Sequence, residues 1–171
     1  MIKKGILALT AVALISSSAF AADKIEKNVF VGVSNYSTDV TGLKDNNIGI
    51  TVGAGISKIK ENNLYCGVSI DASYAEIENP VGSNVNQNSI SIEPKFGYHW
   101  NEKSNVYGLV GLRYSDFGSN INGYGPGVGA GIDYRIDKYV SAAIEGKKYF
   151  MNTSGEHIDS TTAVFKVAYN F

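Results

Sequence analysis

Residues 88–100 read Asn-Ser-Ile-Ser-Ile-Glu-Pro-Lys-Phe-Gly-Tyr-His-Trp and alternate between apolar and polar side chains. One parity carries Ile90, Ile92, Pro94, Phe96, Tyr98 and Trp100, and the other carries Ser89, Ser91, Glu93, Lys95, Gly97 and His99. Successive side chains of a β-strand point to opposite faces, so this period of two predicts a strand with one apolar and one polar face.

The same alternation recurs in seven other segments of the chain. They span residues 28–36, 47–57, 64–74, 105–115, 125–136, 139–150 and 161–171. Most of these segments are close to the roughly 9–11 residues that a tilted strand needs to cross a bilayer. No helical period follows residue 22, so the sequence predicts an all-β domain of eight strands.

The charged residues are distributed unequally between the two faces of these strands. On the apolar faces Lys148 is the only charged residue. The opposite faces carry nine: Asp71, Glu93, Lys95, Arg113, Asp133, Arg135, Glu145, Lys147 and Lys166. Buried charges must be paired, so we predict an ion-pair and water network. A simple hairpin register sets Glu145 opposite Lys166, and Glu93, Lys95 and Arg113 are expected nearby at mid-height.

Two features favour an outward-facing apolar surface over the alternative, a soluble β-protein with an apolar core. The polar faces are rich in glycine and small residues, as expected in a narrow interior. Aromatic residues end the apolar faces, with Tyr74, Tyr114 and Phe150 at one end and Tyr98, Trp100, Tyr134, Tyr169 and Phe171 at the other. Antiparallel strands would gather these into two aromatic girdles. The sequence therefore predicts an eight-stranded antiparallel up-and-down transmembrane β-barrel.

The composition excludes several classes of protein. The chain has 171 residues, of which 44% are hydrophobic and 18% charged, with 15 basic and 16 acidic residues. This balance argues against a nucleic-acid-binding surface. The single cysteine, Cys66, excludes an internal disulfide and a cysteine-built zinc site. No cofactor-binding or metal-ligating motif is found.

Residues 1–21 have the three parts of a secretory signal peptide. Lys3 and Lys4 form the charged start, residues 5–15 the apolar stretch, and Ala19-Phe20-Ala21 the cleavage site. The apolar stretch is too short to span a bilayer as a helix. We expect cleavage after Ala21, which leaves residues 22–171 as one outer-membrane barrel domain.

The predicted connections alternate in length. Long polar connections follow the odd-numbered strands, at residues 37–46, 76–87, 116–124 and 151–160, and short ones follow the even-numbered strands, at 58–63, 101–104 and 137–138. Outer-membrane barrels have long outer loops and short periplasmic turns. Both ends of the mature chain are therefore expected on the periplasmic side.

The chain resembles the small outer-membrane β-barrels of the OmpA transmembrane-domain and OmpX type. Besides the eight strands, the resemblance depends on the last residues, where Phe165, Val167, Tyr169 and Phe171 stand at alternate positions. The resemblance implies that these four residues are a recognition signal for the barrel-assembly machinery, with periplasmic chaperones acting earlier. The peptidoglycan-binding domain of full OmpA proteins is not expected, because the chain stops at Phe171.

The expected function is structural or surface-interactive: membrane integrity, or adhesion of the outer loops to host or other surface ligands. The expected lumen is plugged by charged side chains. The alternatives are a narrow gated pore and, less favoured, an enzyme that modifies lipid A. We expect a monomer in contact with lipid and lipopolysaccharide, whose phosphates Lys148 could reach.

An enzyme would need a nucleophile and a base, and the candidates are poor. His157, Asp159 and Ser160 lie in one outer segment, but their spacing is not the His-x-Ser arrangement of the deacylase barrels. His99 lies at the periplasmic end of its strand. The sequence therefore predicts no catalytic residues and no enzymatic activity.

Overall fold

The computed structural model describes residues 25–40, 43–77, 85–117, 122–152 and 157–171. The predicted signal peptide, residues 1–21, lies outside the described residues. Among those residues no helix is long and apolar enough to cross a membrane.

Eight strands form one closed barrel. They are β1 (Ile25–Val40), β2 (Leu43–Ile59), β3 (Leu64–Ile77), β4 (Val85–Asn101), β5 (Ser104–Asp116), β6 (Asn122–Arg135), β7 (Val140–Asn152) and β8 (His157–Asn170). Each strand pairs antiparallel with the next, and β1 pairs with β8. The predicted up-and-down barrel is confirmed, and closure leaves no unpaired edge strand.

At the end of the barrel opposite the start of β1, the strands extend further than the alternation predicted. We call this the outer end. The predicted connection at 37–46 is nearly all strand, since β1 ends at Val40 and β2 begins at Leu43. The predicted boundaries are wrong here because polar residues do not end a strand whose neighbour continues to pair with it. We call the end where β1 begins and β8 ends the inner end.

The register gives the barrel its stagger. Following paired residues around the barrel from Phe30 through Gly53, Asp71 and the remaining strands returns to β1 at Val40, ten residues further along. A stagger of this kind tilts the strands, and eight strands enclose a space just wide enough for side chains. Residues far apart in sequence therefore meet across the lumen.

Exposure decides which face is outside. Ile50 is 59% exposed and Ile132 is 55% exposed, whereas Glu93 is fully buried. The apolar faces thus form the outer surface and the charged faces line the lumen, so the alternative of a soluble protein with an apolar core is wrong. An outer surface this apolar is stable only against lipid.

Aromatic side chains stand at both edges of the apolar outer surface. The exposed ones near the outer end are Tyr74, Tyr114, Tyr124 and Phe150, and those near the inner end are Tyr98, Trp100, Tyr134, Tyr139, Tyr169 and Phe171. At the inner end, the rings of Tyr139 and Tyr169 stack with their centroids 5.9 Å apart. Such rings suit the two interfaces between water and lipid.

The interior glycines are explained by the aromatic side chains that cover them. Tyr149 pairs with Gly127 across the sheet, and a Cβ atom at Gly127 would overlap the Tyr149 ring. Phe30 covers Gly53 in the same way on the other side of the barrel. Large rings therefore fit into the narrow lumen only where the facing strand has no side chain.

Replacing Ile144 with arginine tests the outward orientation. Ile144 is 64% exposed on the outer face of β7, between the two aromatic edges. Because a charge there would enter the hydrocarbon region, we expect Ile144→Arg to destabilise the barrel by about 2–4 kcal/mol, measured by urea titration in lipid vesicles. The matched variant Glu61→Arg, in the exposed turn before β3, should change stability by about 1 kcal/mol or less. Equal effects of the two variants would contradict the orientation.

Candidate functional site in the barrel lumen

A cluster of three carboxylates and three lysines fills the middle of the lumen. Lys147, on β7, lies at its centre, with Nζ 2.7 Å from Glu93 Oε1, 2.9 Å from Glu145 Oε2 and 3.3 Å from Asp71 Oδ2. Lys147, Glu93 and Asp71 are almost completely buried. A single ammonium thus joins carboxylates from three different strands.

Glu145 contacts the other two lysines, Lys95 and Lys166. Its Oε1 accepts a hydrogen bond of 2.6 Å from Lys95 Nζ and one of 2.9 Å from Tyr107 Oη. Its Oε2 lies 2.6 Å from Lys166 Nζ. We call Asp71, Glu93, Lys95, Glu145, Lys147 and Lys166 the ionic cluster; its formal charges cancel, which lowers the cost of burying them.

The Glu145–Lys166 contact forms through a register that differs from the predicted one. Glu145 pairs with Val164, and Lys166 pairs with Ala143. The predicted register is wrong by two residues because β7 continues to Asn152 and β8 begins at His157, which moves the hairpin turn towards the N-terminus. The two side chains still meet because they extend diagonally across the sheet.

Hydroxyl groups add hydrogen bonds to two carboxylates of the ionic cluster. Ser91 Oγ donates to Asp71 Oδ1 at 2.6 Å, and Tyr149 Oη donates to Glu93. The alternation of side chains predicts the positions of the charged members, but it does not single out these hydroxyl donors. The same parity places them in the lumen, yet a serine or tyrosine there carries no signal that it contacts a carboxylate.

A second group of charges lies at the inner end. Arg135 donates to Glu26, and Asn105 Nδ2 donates to Asp133 Oδ1 at 3.2 Å. Glu26 was missed because the first predicted strand began at residue 28, although Glu26 shares the parity of Phe30. With Glu26 included, the described lumen charges are five acids and five bases.

A cavity of about 40 Å³ separates the inner group from the ionic cluster. Its lining includes Asn28, Tyr65, Ser69, Asp133 and Lys166. The rings of Tyr65 and Tyr107 stack along one side, with centroids 5.5 Å apart. A space of this size and polarity holds a few water molecules, since one water needs roughly 10–15 Å³.

Arg113 lies on the outer side of the ionic cluster. Its guanidinium carbon is 3.9 Å from the centroid of the Tyr149 ring and 5.8 Å from that of Tyr36. Because Tyr114 and Phe150 are the next residues on their strands, Arg113 and Tyr149 are level with the outer aromatic girdle. The structure places the Arg113 guanidinium on aromatic rings, with no carboxylate of the described residues in direct contact.

An apolar cluster lies in the lumen beyond Arg113, towards the outer end. Phe117, Tyr149, Met151 and Ile158 pack together, and each is at most 6% exposed. Along the part of the lumen that the structure describes, charged, aromatic and apolar layers follow one another, with a small cavity on the inner side of the ionic cluster.

The structure separates the candidate catalytic residues. Ser160 is buried in the lumen, whereas His157 is exposed and Asp159 is half-exposed on the outer face of β8. His99 Nδ1 lies 2.8 Å from Asn105 Oδ1 at the inner end. No group of three or more histidine, cysteine, aspartate or glutamate side chains suited to a metal occurs within the described ranges.

The remaining residues singled out from the sequence lie on the outer face. Lys148 Nζ is 2.9 Å from Asp159 Oδ2, so its ammonium already has a partner. Phe165, Val167, Tyr169 and Phe171 are all exposed along the outer face of β8 and the residue after it. Cys66 is partly exposed on the outer face of β3, with a free thiol.

Residues 7–171 match the family model described as "Outer membrane protein beta-barrel domain". A comparison of the sequence with curated proteins finds no match. The structure is similar to that of Neisserial surface protein A (NspA), with a TM-score of 0.67 and 14% identity, over 85% of this chain and 97% of that one.

Two further solved structures are similar to this barrel. One is Ail, the attachment invasion locus protein of Yersinia pestis, in complex with the heparin analogue sucrose octasulfate: TM-score 0.60, 15% identity, covering 86% of this chain and 99% of that one. The other is the outer membrane enzyme PagL, with a TM-score of 0.53 and 14% identity, over 79% and 97% of the two chains. Both a binding protein and an enzyme thus have this fold.

Adjacent lysines on β7 provide a matched test of the ionic cluster. Lys147 is buried among three carboxylates, whereas Lys148 forms one half-exposed ion pair. We expect Lys147→Met to lower the free energy of unfolding by about 3–5 kcal/mol, because it leaves buried carboxylates uncompensated. Lys148→Met should cost about 1 kcal/mol or less. Urea titration of the folded barrel in vesicles measures both, and similar losses would contradict the role given to the ionic cluster.

Proposed function

The chain belongs to the outer membrane protein beta-barrel domain family, and from this membership we propose that it is a surface-interacting barrel of the outer membrane with a blocked lumen. The observation that carries the proposal is the filled lumen, in which charged, aromatic and apolar layers succeed one another. A barrel without a continuous path acts through the surfaces that it exposes.

The outer end is the surface that we assign to this function. The strands continue beyond the outer aromatic girdle, which raises a rigid rim above the membrane. In the segments 37–46, 76–87, 116–124 and 151–160 the acidic residues outnumber the basic ones; they are Asp39, Asp45, Glu76, Glu78, Asp116, Glu156 and Asp159, against Lys44. This charge favours basic partners, or partners bridged by divalent cations, over sulfated polyanions such as the Ail ligand.

A barrel of the outer membrane must be exported and inserted. The signal peptide at residues 1–21 directs the chain to the periplasm, where chaperones hold it until insertion. An exposed apolar stripe lies at the end of the last strand and consists of Phe165, Val167, Tyr169 and Phe171. This exposure supports their assignment as the assembly signal. Lipid and lipopolysaccharide then surround a monomer.

The runner-up function is a narrow gated pore, and the inner cavity is the observation that favours it. The cavity reaches from Asn28 to Lys166, so only the ionic cluster, the Arg113 layer and the apolar cluster remain to be crossed. Opening all three would require many contacts to change together.

Planar-bilayer recording distinguishes the blocked barrel from the pore. We expect no steady conductance from the wild-type protein and none from Glu145→Ala, because the layer of Arg113 and Tyr149 and the apolar cluster remain in place. Steady wild-type conductance that changes in Glu145→Ala would replace the proposal with the pore.

Neutralising matched sets of acids tests the assignment of the outer end. One variant changes Asp45, Glu78 and Glu156 to amides, and its control changes Glu61, Glu102 and Asp137 at the inner end. We expect cells that produce the first variant to adhere less to cultured host cells than cells with the wild type, and the control to adhere normally. Adhesion that does not depend on the barrel at all would leave membrane integrity as its role.

Mass spectrometry of lipid A tests the enzymatic alternative. Because Ser160 faces the lumen while His157 faces outward, we expect no change in the acyl chains when the protein is produced. Loss of an acyl chain that depends on His157 would overturn the non-enzymatic proposal.

A further inference from the structure

Arg113 carries a buried charge with no carboxylate in direct contact among the described residues. It is 3% exposed, and among the described residues it forms no ion pair. Its one hydrogen bond there, from Nη1 to Thr162 Oγ1, is 3.3 Å long, and its Nε has no acceptor. A buried charge in this state is costly, since burial normally requires both pairing and hydrogen bonding.

The neighbouring ionic cluster acts on Arg113 only at longer range, through Asp71, and supplies no carboxylate in direct contact with it. Its three carboxylates already face three lysines, and both oxygens of Glu93 accept hydrogen bonds from Lys147. The Tyr149 ring lies against the guanidinium, and the Tyr149 hydroxyl already donates a hydrogen bond to Glu93. The excess positive charge therefore belongs to the outer part of the lumen.

Hydroxyl groups without a hydrogen-bond partner lie on β1 and β8, the pair of strands that the guanidinium reaches. Thr162, which Arg113 reaches, pairs with Tyr36 on β1, and the next inward-facing pair towards the outer end is Ser160 with Thr38. The hydroxyl oxygens of Tyr36, Thr38 and Ser160 are buried and have no hydrogen-bond partner among the described residues. Three hydroxyl groups that can donate hydrogen bonds thus lie on one side of the lumen, together with an arginine whose Nε has no acceptor among the described residues.

We propose that the outer end of the lumen is a binding site for a small oxyanion, a phosphate or sulfate group, held by Arg113 and by the hydroxyls of Tyr36, Thr38 and Ser160. Arginine matches the geometry of such oxyanions, and a charge-assisted hydrogen bond is about twice as strong as a neutral one. The site gives the blocked barrel a ligand that it can hold without conducting it.

The apolar cluster controls access to this site. Phe117, Met151 and Ile158 lie outward of Arg113 and are nearly fully buried, so an anion enters only when one of them moves. Phe117 is the residue directly after β5, outside the hydrogen-bonded strand, so it can move at the lowest cost. We expect Phe117→Ala to speed binding and release while the site itself remains.

The two arginines of the chain, Arg113 and Arg135, make a direct experiment possible. Each gives one side-chain Nε–H signal in a ¹⁵N–¹H spectrum of the refolded barrel in detergent. On titration with inorganic phosphate at constant ionic strength, we expect the Arg113 signal to shift and saturate. The Arg135 signal should stay in place, because Arg135 is already paired with Glu26. A parallel titration with micelles containing phosphatidic acid asks whether a lipid phosphate can replace the free ion.

Variants separate anion binding from folding, with heat-modifiable migration on SDS gels as the check for a folded barrel. Isothermal titration with phosphate should show binding weakened by about tenfold or more in Arg113→Met. The control Arg135→Met removes the same charge at the inner end and should bind normally. Should Arg113→Met not fold, the double variant Thr38→Ala/Ser160→Ala, which keeps the arginine, should bind several-fold more weakly.

Three results would overturn the proposal. An Arg113 signal that does not respond to phosphate in the wild type would mean that the orphaned groups hold ordered water only. Equal shifts of both arginine signals would mean a general salt effect. Unchanged phosphate affinity in folded Arg113→Met, or in the double variant, would place the anion elsewhere.

Discussion

The pairing of charge inside a narrow cylinder is the constraint on which the rest of this structure depends. An apolar outer surface is required by lipid, and the period of two then sends every alternate side chain into a lumen with little room for water. Lys147 and the three carboxylates around it satisfy this constraint at mid-height. The glycines beneath Tyr149 and Phe30 provide the space that these layers need.

The layers differ in what they can do. The ionic cluster is formally neutral and each of its charges contacts an opposite charge, so it stabilises the middle of the barrel. The inner cavity is polar and small, and it suits water. The Arg113 layer combines a buried guanidinium with several hydroxyl groups that have no hydrogen-bond partner among the described residues, and it lies level with the outer membrane interface. The proposed function at the outer surface is therefore accompanied by a proposed anion site just inside the barrel.

The fold, and the side of the sheet on which each residue lies, could be predicted from the sequence. Parity alone placed all nine predicted charges in the lumen, because the alternation of a strand admits no intermediate direction. The pairing of Lys147 with Glu93 was beyond the sequence, since they are 54 residues apart and meet only through the stagger of the whole barrel. The Glu145–Val164 register was mispredicted by two residues because the position of a turn in a polar segment has no strong signal. Arg113 was expected to be paired, and its location on aromatic rings has no signature in the sequence.

The seam between β1 and β8 has a consequence for the charge balance of the lumen. Lys166 lies on β8, the last strand to be synthesised, and completes the charge balance around Glu145 and Asp71. Without β8 the ionic cluster has three carboxylates and only two lysines, so a barrel that lacked this strand would bury an excess negative charge. The third lysine is carried by the strand that closes the barrel, so charge neutrality in the lumen depends on closure.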